Sequence, residues 1–455
     1  MIIFSETADM LKGFIEKSGL SELARGMVLR LVLTFILHRG RVSCSQAAGA
    51  VASEPVHRGE ITRFLARPRW QKKDFNQAHR WALLKLESKR GKFIFIIDAT
   101  LISQAGKKTK NTFSTNNHNH GKRGKKRRYG KKKIAYKTCH SFTFGLLITP
   151  SGIRIPVEIP HYTKEYCEER GLTPCTTAEA AAQMIRWLPL PPTAQVIVLG
   201  DTAYDAKVVQ QACEERGYIW IMPVNPERVY EGSKGTRRKV RSRLEDWKQL
   251  SLRTIRLHAS TGKYAGYRRL SKWRIGPKLK PREYYAHQER ADVRNVGRVL
   301  LIFSTMKPNL QVASPDNVKI LMTNALHLSV SEIIELYSLR WQIELFFKEL
   351  KSTLGFDQYR FERFEAVEAW VETTITTVLF LETERAKRMR DRSLSLQARR
   401  WWAMQRLHGL CSGIRHECEL QELKYLNERL KTPGGVAKVQ RLLGAAIPPE
   451  FRTPA

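Results

Sequence analysis

The sequence predicts an α/β protein in which helices flank a mixed sheet, a mainly β insertion interrupts the sheet, and helical regions stand at both ends. Two short apolar runs with β-branched or aromatic residues, Phe93–Ile97 and Val196–Leu199, are typical of buried central strands. The stretch Tyr337–Lys351 repeats apolar residues with the period of a helix. Alternating segments rich in Arg and Lys from about 226 to 316, divided by Gly and Pro, indicate the β insertion.

The composition indicates a nucleic-acid partner. The 455-residue chain carries 79 basic and 43 acidic residues, a formal net charge of +36. Self-repulsion makes such a balance costly unless a polyanion is the usual partner, so nucleic acid is the first candidate. An anionic membrane surface is the weaker candidate, because no amphipathic anchor is evident.

Three further features predict a soluble, cytoplasmic protein. No uninterrupted apolar run reaches the roughly 18 residues that suggest a membrane helix. Glu6 and Asp9 precede any apolar run, unlike the layout of a signal peptide. The seven cysteines form no C-x-x-C pair, which fits reduced thiols in a cytosolic protein.

Residues 1–88 are predicted to be helical. Within them, Ser45–Trp70 has the outline of two short helices joined by a turn near Pro55, and the second helix offers several arginines: Arg58, Arg63, Arg67 and Arg69. This outline loosely matches a helix-turn-helix unit and suggests DNA binding. A helical bundle with a solvated basic face is the alternative.

The first acidic residue of interest, Asp98, ends the apolar run Phe93–Ile97. A carboxylate at the end of a buried strand is costly unless it is exposed or bound to a cation, and a capping role is the alternative to a functional one. The basic tract from Gln104 to Lys137 follows. Charges this dense cannot pack, so we expect a loop that contacts backbone phosphates without reading bases, or simply a solvated loop.

The same pattern recurs after a predicted hairpin (137–159) and a predicted helix (177–188). The run Val196–Leu199 leads into Asp201. If the two apolar strands pair, Asp98 and Asp201 lie at adjacent strand ends. Asp205 is the alternative second acid, in case Asp201 only caps the following helix.

A further strand is predicted at Tyr218–Val224, before the insertion. The insertion interleaves aromatic residues with cations, which suits stacking against nucleic acid, although the same residues could form the core and edge of a small sheet. A last strand, Lys319–Asn324, precedes a helix that Ser329 or Ser331 can cap. The aromatic residues in question are Tyr264, Tyr267, Trp273, Tyr284 and Tyr285.

The helix predicted over Tyr337–Lys351 has two faces. One carboxylate set among cations and a phenol suits an anionic ligand held partly by a metal ion and partly by direct charge. The alternative is an exposed face with ordinary Glu–Lys pairs. The polar face carries Tyr337, Arg340, Glu344 and Lys351, with Lys348 one turn beyond the carboxylate. Apolar residues fill the neighbouring arc: Leu336, Leu339, Ile343, Phe346, Phe347 and Leu350.

The spacing of this face resembles the Y-R-E-K signature of bacterial cut-and-paste transposases of the insertion-sequence family four superfamily. The D-x-T that begins at Asp98 is similar to the motif around the first catalytic acid of these DDE transposases. The G-D-T-x-Y-D of residues 200–205 and the pair Thr323-Asn324 also resemble the family. The likeness covers about residues 90–355 and implies an RNase H-like core.

This resemblance implies metal-dependent DNA transposition. The catalytic acids would be Asp98, Asp201 and Glu344, which together would bind two Mg²⁺ ions that Mn²⁺ can replace. The implied reaction is hydrolytic nicking at the element's ends, attack by the freed 3′ hydroxyl, and strand transfer into target DNA. The residues that would bind DNA are Tyr337, Arg340, Lys348 and Lys351.

The resemblance also implies the partners. The protein would bind double-stranded DNA, at the terminal inverted repeats and at the target, as a homodimer in a synaptic complex. It would work in the bacterial cytoplasm, on the nucleoid, with no membrane partner. A tryptophan in the family's insertion helps to accommodate a base flipped from the DNA end, and Trp273 is a candidate for that role.

Two alternative functions remain. A nuclease on the same fold would keep the three acids but cut without strand transfer, and a non-catalytic DNA-binding descendant would keep the charge and the fold. The predicted organisation is a helical DNA-binding domain (1–88), a catalytic core in two parts (89–224 and 319–385), a β-rich insertion (225–318) and a C-terminal helical region (386–455).

Overall fold

The computed structural model describes residues 2, 8–38, 40–67, 76–87, 89–104, 106, 108–116, 136–231, 235, 237–258, 261–269, 281–307 and 309–437. The chain divides into two compact units. The first unit comprises Met1–Leu86, Ile102–His140 and Phe347–Ala455, and the second comprises Glu87–Leu101 and Ser141–Phe346. Each unit therefore combines segments that are far apart in sequence.

The described residues form twelve strands and thirteen α-helices. The strands are β1 (Phe93–Gln104), β2 (Phe113–Asn116), β3 (Tyr136–Ile148), β4 (Arg154–Pro160), β5 (Val196–Leu199), β6 (Ile219–Pro223), β7 (Val229–Glu231), β8 (Arg237–Lys239), β9 (Arg253–Leu257), β10 (Arg282–Val293), β11 (Gly297–Thr305) and β12 (Lys319–Thr323). The helices are α1 (Asp9–Ile15), α2 (Glu22–Leu37), α3 (Cys44–Ala48), α4 (Arg58–Ala66), α5 (Gln77–Leu84), α6 (Lys164–Arg170), α7 (Thr177–Trp187), α8 (Lys207–Glu215), α9 (Val330–Tyr337), α10 (Trp341–Leu354), α11 (Phe364–Arg390), α12 (Leu396–Met404) and α13 (Leu407–Leu430).

The core of the second unit is a mixed sheet in the order β4-β3-β1-β5-β6. β1, β5 and β6 run parallel, whereas β3 and β4 form an antiparallel hairpin. Parallel neighbours need a crossover connection, and α8 provides it between β5 and β6. This strand order, with helices on the connections after β4 and β5, is that of an RNase H-like sheet. The predicted fold class is therefore confirmed.

The strands of the β insertion continue the core sheet. β12 pairs antiparallel with β6 on one side and with β11 on the other, and β10 pairs with β11. The short strands β7 and β9 both pair with β10, and β8 pairs with β7. The segment between 226 and 316 thus widens an existing sheet. The five-part division into domains stays a prediction.

The first strand is longer than predicted. The apolar run ends before Asp98, but β1 continues to Gln104. Its pairing with β5 stops at Ile96, because β5 ends at Leu199, while β3 is its other neighbour. At the far end, Thr138 Oγ1 of β3 donates a hydrogen bond to the Gln104 carbonyl at 2.6 Å. Asp98 therefore lies within a strand and not at its end.

The first unit is built on α11, which is buried along most of its length. Asn76 Nδ2 donates a hydrogen bond to the Glu372 carbonyl at 3.0 Å, and Thr376 Oγ1 donates one to Asn76 Oδ1 at 2.8 Å. Phe14 of α1 meets Phe380 edge to face, with ring centroids 5.4 Å apart. N-terminal residues therefore pack against a helix from the C-terminal third of the chain.

The segment predicted to resemble a helix-turn-helix unit contains two short helices, α3 and α4. A capping box begins α4: His57 Nδ1 accepts a hydrogen bond from the Gly59 amide, and Glu60 Oε1 accepts one from the His57 amide, both at 3.1 Å. The DNA-binding role of this segment stays a prediction, and Arg69 lies outside the described residues.

Two other sequence features fall outside the described residues. They are Trp273 and most of the basic tract between Gln104 and Lys137. In the part of the chain that the structure covers, no helix combines the length and the apolar character needed to cross a bilayer.

Gly145 of β3 has no room for a side chain. A Cβ there would lie 2.2 Å from Phe95 Cζ and 3.3 Å from Met184 Sδ, and both residues are buried. We expect overpacking in Gly145→Ala to lower the unfolding free energy by about 1–3 kcal/mol in a denaturant titration. The control is Gly26→Ala in α2, where an added Cβ would have no neighbour within 4 Å. This substitution should raise the unfolding free energy by up to ~1 kcal/mol. Wild-type stability of Gly145→Ala would contradict this packing.

Candidate active site

Two acidic residues lie at the same level of neighbouring parallel strands. The register of β1 and β5 places Ile96 beside Leu199, so the two apolar strands pair, which is the condition for the two acids to lie at neighbouring positions. Two residues further along each chain segment are Asp98 and Asp201. Asp201 Oδ1 accepts a hydrogen bond from the Ala203 amide at 2.9 Å and so begins a short 3₁₀ helix. The carboxyl edge of the parallel strands, where open α/β sheets bind ligands, thus carries both carboxylates.

The G-D-T-x-Y-D motif packs a tyrosine next to these two carboxylates. A Cβ at Gly200 would lie only 3.0 Å from Tyr204 Cβ, so glycine allows the tyrosine to fold back against the strand end. Tyr204 is 1% exposed. Burial, and then the negative charges of Asp98 and Asp201, raise the pKa of its hydroxyl. A neutral phenol therefore lies beside the acidic pair.

Asp205, the alternative second acid, has a structural role. Its carboxylate accepts hydrogen bonds from Arg228 Nε at 2.7 Å, the Asn225 amide at 2.8 Å and Gln210 Nε2 at 2.9 Å. The side chain has no exposed surface. A buried carboxylate with three donors has little capacity left for a ligand. Asp201 is therefore the better candidate of the two.

The predicted helix over Tyr337–Lys351 is interrupted. α9 ends at Tyr337, Ser338–Arg340 form a 3₁₀ turn, and α10 begins at Trp341. Residues three apart eclipse one another in a 3₁₀ turn, so Tyr337 and Arg340 project on the same side. The predicted apolar arc is confirmed, because all its members are buried: Leu336, Leu339, Ile343, Phe346, Phe347 and Leu350.

Arg340 joins two of the three predicted acids. Its Nη1 lies 3.4 Å from Asp98 Oδ2, and its Nη2 forms an ion pair with Glu344 Oε1 on the next turn of the helix. The side chain is only 19% exposed. Although burial disfavours its charge, Tyr337, Glu344 and Asp98 raise the pKa of Arg340 above its ordinary value. Arg340 is therefore a fixed positive charge between two carboxylates.

The acids repel one another in spite of Arg340. Burial, and then the negative charge of Asp201, raise the pKa of Asp98 to about 6. Glu344 adds to this effect, whereas a hydrogen bond from the Ala99 amide at 2.8 Å and the charge of Arg340 oppose it. A cluster whose negative charges are this incompletely balanced is stabilised by a bound cation.

The donor set fits a hard divalent cation. Asp98, Asp201 and Glu344 offer carboxylate oxygens, the ligands that Mg²⁺ prefers in proteins. Among the residues that the structure describes, however, no three acidic, histidine or cysteine side chains already surround one point closely enough to hold a metal ion. Arg340 gives the physical reason, since its guanidinium pairs with both Asp98 and Glu344. Asp98 and Glu344 would be the acids whose pairing with Arg340 competes with a cation.

Lys319 is a site residue that sequence reasoning missed. β12 runs antiparallel to β6, so its first residue lies at the same edge of the sheet as the acids. Lys319 Nζ lies 5.8 Å from the centre of the Tyr337 ring, within reach of an electrostatic interaction with Asp201 and Arg340. The sequence feature that could have identified it is a lysine at the first position of an otherwise apolar strand.

The insertion anchors the helix that carries Tyr337. Tyr264 donates hydrogen bonds to two α9 carboxylates: its hydroxyl to Glu332 Oε1 at 2.5 Å and its amide to Glu335 Oε1 at 2.9 Å. Arg268 donates a hydrogen bond to Ser338 Oγ in the 3₁₀ turn. Although partial burial raises it, hydrogen bonds from Tyr264 and two lysines lower the pKa of Glu332 to about 2. The insertion thus fixes both ends of α9.

The aromatic residues of the insertion divide into two groups. Tyr264 and Tyr267 are buried and hydrogen-bonded, the latter through its hydroxyl to the Lys92 carbonyl at 2.5 Å, so the core interpretation holds for them. Tyr284 and Tyr285 are half-buried on β10.

Two predicted DNA-binding residues belong to the first unit. Lys348 and Lys351 follow Glu344 on α10, and Phe347 is the first residue of that helix assigned to the first unit. Lys348 is exposed and Lys351 is half-buried. Asp98, Asp201, Tyr337, Arg340 and Glu344 all belong to the second unit.

Two family models match the chain. The model described as DDE superfamily endonuclease matches residues 20–260, just over half of the chain, and the model described as transposase DDE domain matches residues 175–380. The chain therefore belongs to the DDE superfamily of endonucleases. Between them, the two matches span Asp98, Asp201 and Glu344.

Comparison with solved structures finds a weak likeness. The piggyBac transposase in a synaptic complex with hairpin DNA, determined by cryo-EM, superposes with a TM-score of 0.41 at 9% sequence identity, over 97% of this chain and 86% of that chain. This likeness is too weak to bear on function. Comparison with curated protein sequences finds no match.

The contrast between Asp205 and Asp201 can be tested by unfolding. Asp205→Ala leaves Arg228 and buried donors without their acceptor, and we expect it to lower the unfolding free energy by about 3 kcal/mol. Asp201→Ala removes a partly exposed carboxylate and should cost about 1 kcal/mol, the typical contribution of a helix cap. Denaturant titration measures both. A larger loss of stability in Asp201→Ala than in Asp205→Ala would contradict these assignments.

Proposed function

We propose that this protein is a transposase that cuts the ends of a DNA element and joins them to target DNA. The observation that carries the proposal is the edge of the sheet where Asp98 and Asp201 lie beside each other and where Arg340 pairs with both Asp98 and Glu344. Membership of the DDE superfamily supports the reading of these three acids as the catalytic set. The match to a transposase DDE domain favours transposition over simple hydrolysis.

Within the transposases, we place the protein in the bacterial insertion-sequence family four superfamily. The Y-R-E-K spacing from Tyr337 to Lys351 supports this placement, together with the motifs at Asp98 and at residues 200–205. The long β insertion between the second acid and the glutamate helix also agrees with it.

The cofactor of this reaction is Mg²⁺, as two ions, with Mn²⁺ as a substitute. Asp98, Asp201 and Glu344 would hold it, because they supply hard oxygen ligands and a local excess of negative charge. When bound, such ions lower the pKa of an attacking water and stabilise the charge on the reacting phosphate.

The other residues of the site bind and orient the substrate. The Arg340 guanidinium offers a fork of donors that suits a phosphate. The Tyr337 hydroxyl adds a neutral donor, since burial raises its pKa. Lys319 adds a point charge at the same edge. No protein nucleophile is needed, because water attacks first and the freed 3′ hydroxyl attacks second.

The substrate is double-stranded DNA at the element's terminal inverted repeats and at the target. The net charge of +36 supports extensive phosphate contacts. Lys348 and Lys351 add cations on the helix that carries Glu344. Because two ends must be joined to one target, the protein acts as a homodimer in the synaptic complex.

Replacing one acid by its neutral isostere tests the catalytic set. We expect Glu344→Gln to reduce Mg²⁺-dependent cleavage of a labelled duplex carrying the element's flanking sequence by more than about a hundredfold. Loss of a residue that only hydrogen-bonds to a metal ligand already costs up to about a hundredfold in activity, and Glu344 is itself a proposed ligand. DNA affinity, measured by fluorescence anisotropy, should stay close to wild type. Glu214→Gln on the exposed face of α8 makes the same charge change and should leave cleavage intact.

The products separate the alternatives. Cleavage at the element boundary followed by joining to a target plasmid supports transposition. Cleavage without joining, when paired ends and target are supplied, would identify a nuclease. Binding without cleavage by the wild type under the same conditions would contradict the catalytic proposal and leave a DNA-binding protein.

A further inference from the structure

A basic groove lies on the first unit. Part of its lining comes from α10, the helix that also carries Glu344. The volume of the groove is about 680 Å³. The groove carries a net positive charge, because four cations and one carboxylate line it. The cations are Arg41, Lys348, Lys351 and Arg360, the carboxylate is Asp357, and Ser352 and Gln358 complete the lining. We call this the Arg41–Arg360 groove.

Tertiary packing, and not one helix, brings these cations together. Arg41 lies in the loop between α2 and α3, whereas Arg360 follows α10. The amide of Val42, next to Arg41, donates a hydrogen bond to Gln358 Oε1 at 2.6 Å. Gly355 has a positive φ of 65°, and a Cβ there would lie 2.9 Å from Val42 Cγ2. The two segments are thus held against each other at a contact that only glycine fits.

Three of the four cations of the groove, Arg41, Lys348 and Arg360, are exposed. The Arg360 guanidinium donates a hydrogen bond to its neighbour's carbonyl, Tyr359 O, at 2.6 Å, which orients it without cancelling its charge. In the part of the chain that the structure describes, Arg41, Lys348 and Arg360 form no ion pair with a carboxylate. Burial lowers the pKa of Lys351, and the nearby charge of Lys137 lowers it further while Asp357 raises it. The groove is short of negative charge.

We infer that the Arg41–Arg360 groove binds the sugar-phosphate backbone of double-stranded DNA, with Arg41 and Arg360 as phosphate contacts that the Y-R-E-K signature does not include. The inference rests on the proposed function, which supplies DNA as the ligand. The described lining has no aromatic residue on which a base could stack, so it suits the backbone and not the bases. The contacts therefore add affinity without sequence preference.

The salt dependence of binding tests this assignment. Arg41→Gln and Arg360→Gln should each lower the slope of log affinity against log salt concentration by about 0.9, the value for one lost phosphate contact on duplex DNA. The loss should be the same for a duplex from the element end and for an unrelated duplex. Fluorescence anisotropy over a series of KCl concentrations measures both. Arg41 and Arg360 are exposed, so both variants should fold, which circular dichroism checks.

The control is Lys424→Gln, which removes one exposed positive charge on α13 that does not line the groove. It should leave the slope unchanged. Wild-type slopes in both arginine variants would overturn the groove assignment, while cleavage by the wild type would still support the proposed function. A lower salt-dependence slope in the arginine variants, together with a wild type that does not cleave DNA, would support the groove assignment and contradict the transposase proposal. Equal displacement of DNA by duplex RNA would overturn the choice of DNA.

Discussion

The candidate site depends on how three like charges are held within reach of one another. The parallel register of β1 and β5 brings Asp98 and Asp201 to one level, two residues beyond the last paired residues Ile96 and Leu199. Glu344 on α10 and Asp98 share the Arg340 guanidinium, which supplies the compensating charge. Repulsion is stronger in a partly buried setting than in water, so the cluster favours any cation or guanidinium that can enter it. The proposed cation and phosphate chemistry both depend on this one arrangement.

The rest of the second unit keeps that arrangement rigid. A long insertion between Asp201 and Glu344 would loosen the site if it were tethered only at its ends. Instead, β11 pairs with β12, which pairs with β6, so the insertion leaves and re-enters the same sheet. Its residues Tyr264 and Arg268 then fix α9 and the turn before Arg340. The insertion that widens the sheet therefore also holds α9 and the 3₁₀ turn, which come just before the helix of Glu344.

The sequence predicted the parts of this architecture that depend on local pattern. Apolar β-branched runs are stable mainly as buried strands, which is why the strands leading to Asp98 and Asp201 were identified. Non-local contacts account for the rest. The extension of β1 depends on β3, the role of Lys319 on antiparallel pairing with β6, and the Arg41–Arg360 groove on loops more than 300 residues apart. The 3₁₀ turn at Ser338–Arg340 changes the spacing of the apolar residues so little that the hydrophobic pattern does not reveal the break between α9 and α10.

We propose that Asp98, Asp201 and Glu344 form one divalent-cation site. Anomalous diffraction from Mn²⁺ in crystals of the protein bound to a duplex of the element end tests it most directly. We expect anomalous density in contact with carboxylate oxygens of Asp98, Asp201 and Glu344, with Arg340 no longer paired to both Asp98 and Glu344. Mn²⁺ found only elsewhere, with Arg340 still paired to both Asp98 and Glu344, would contradict it.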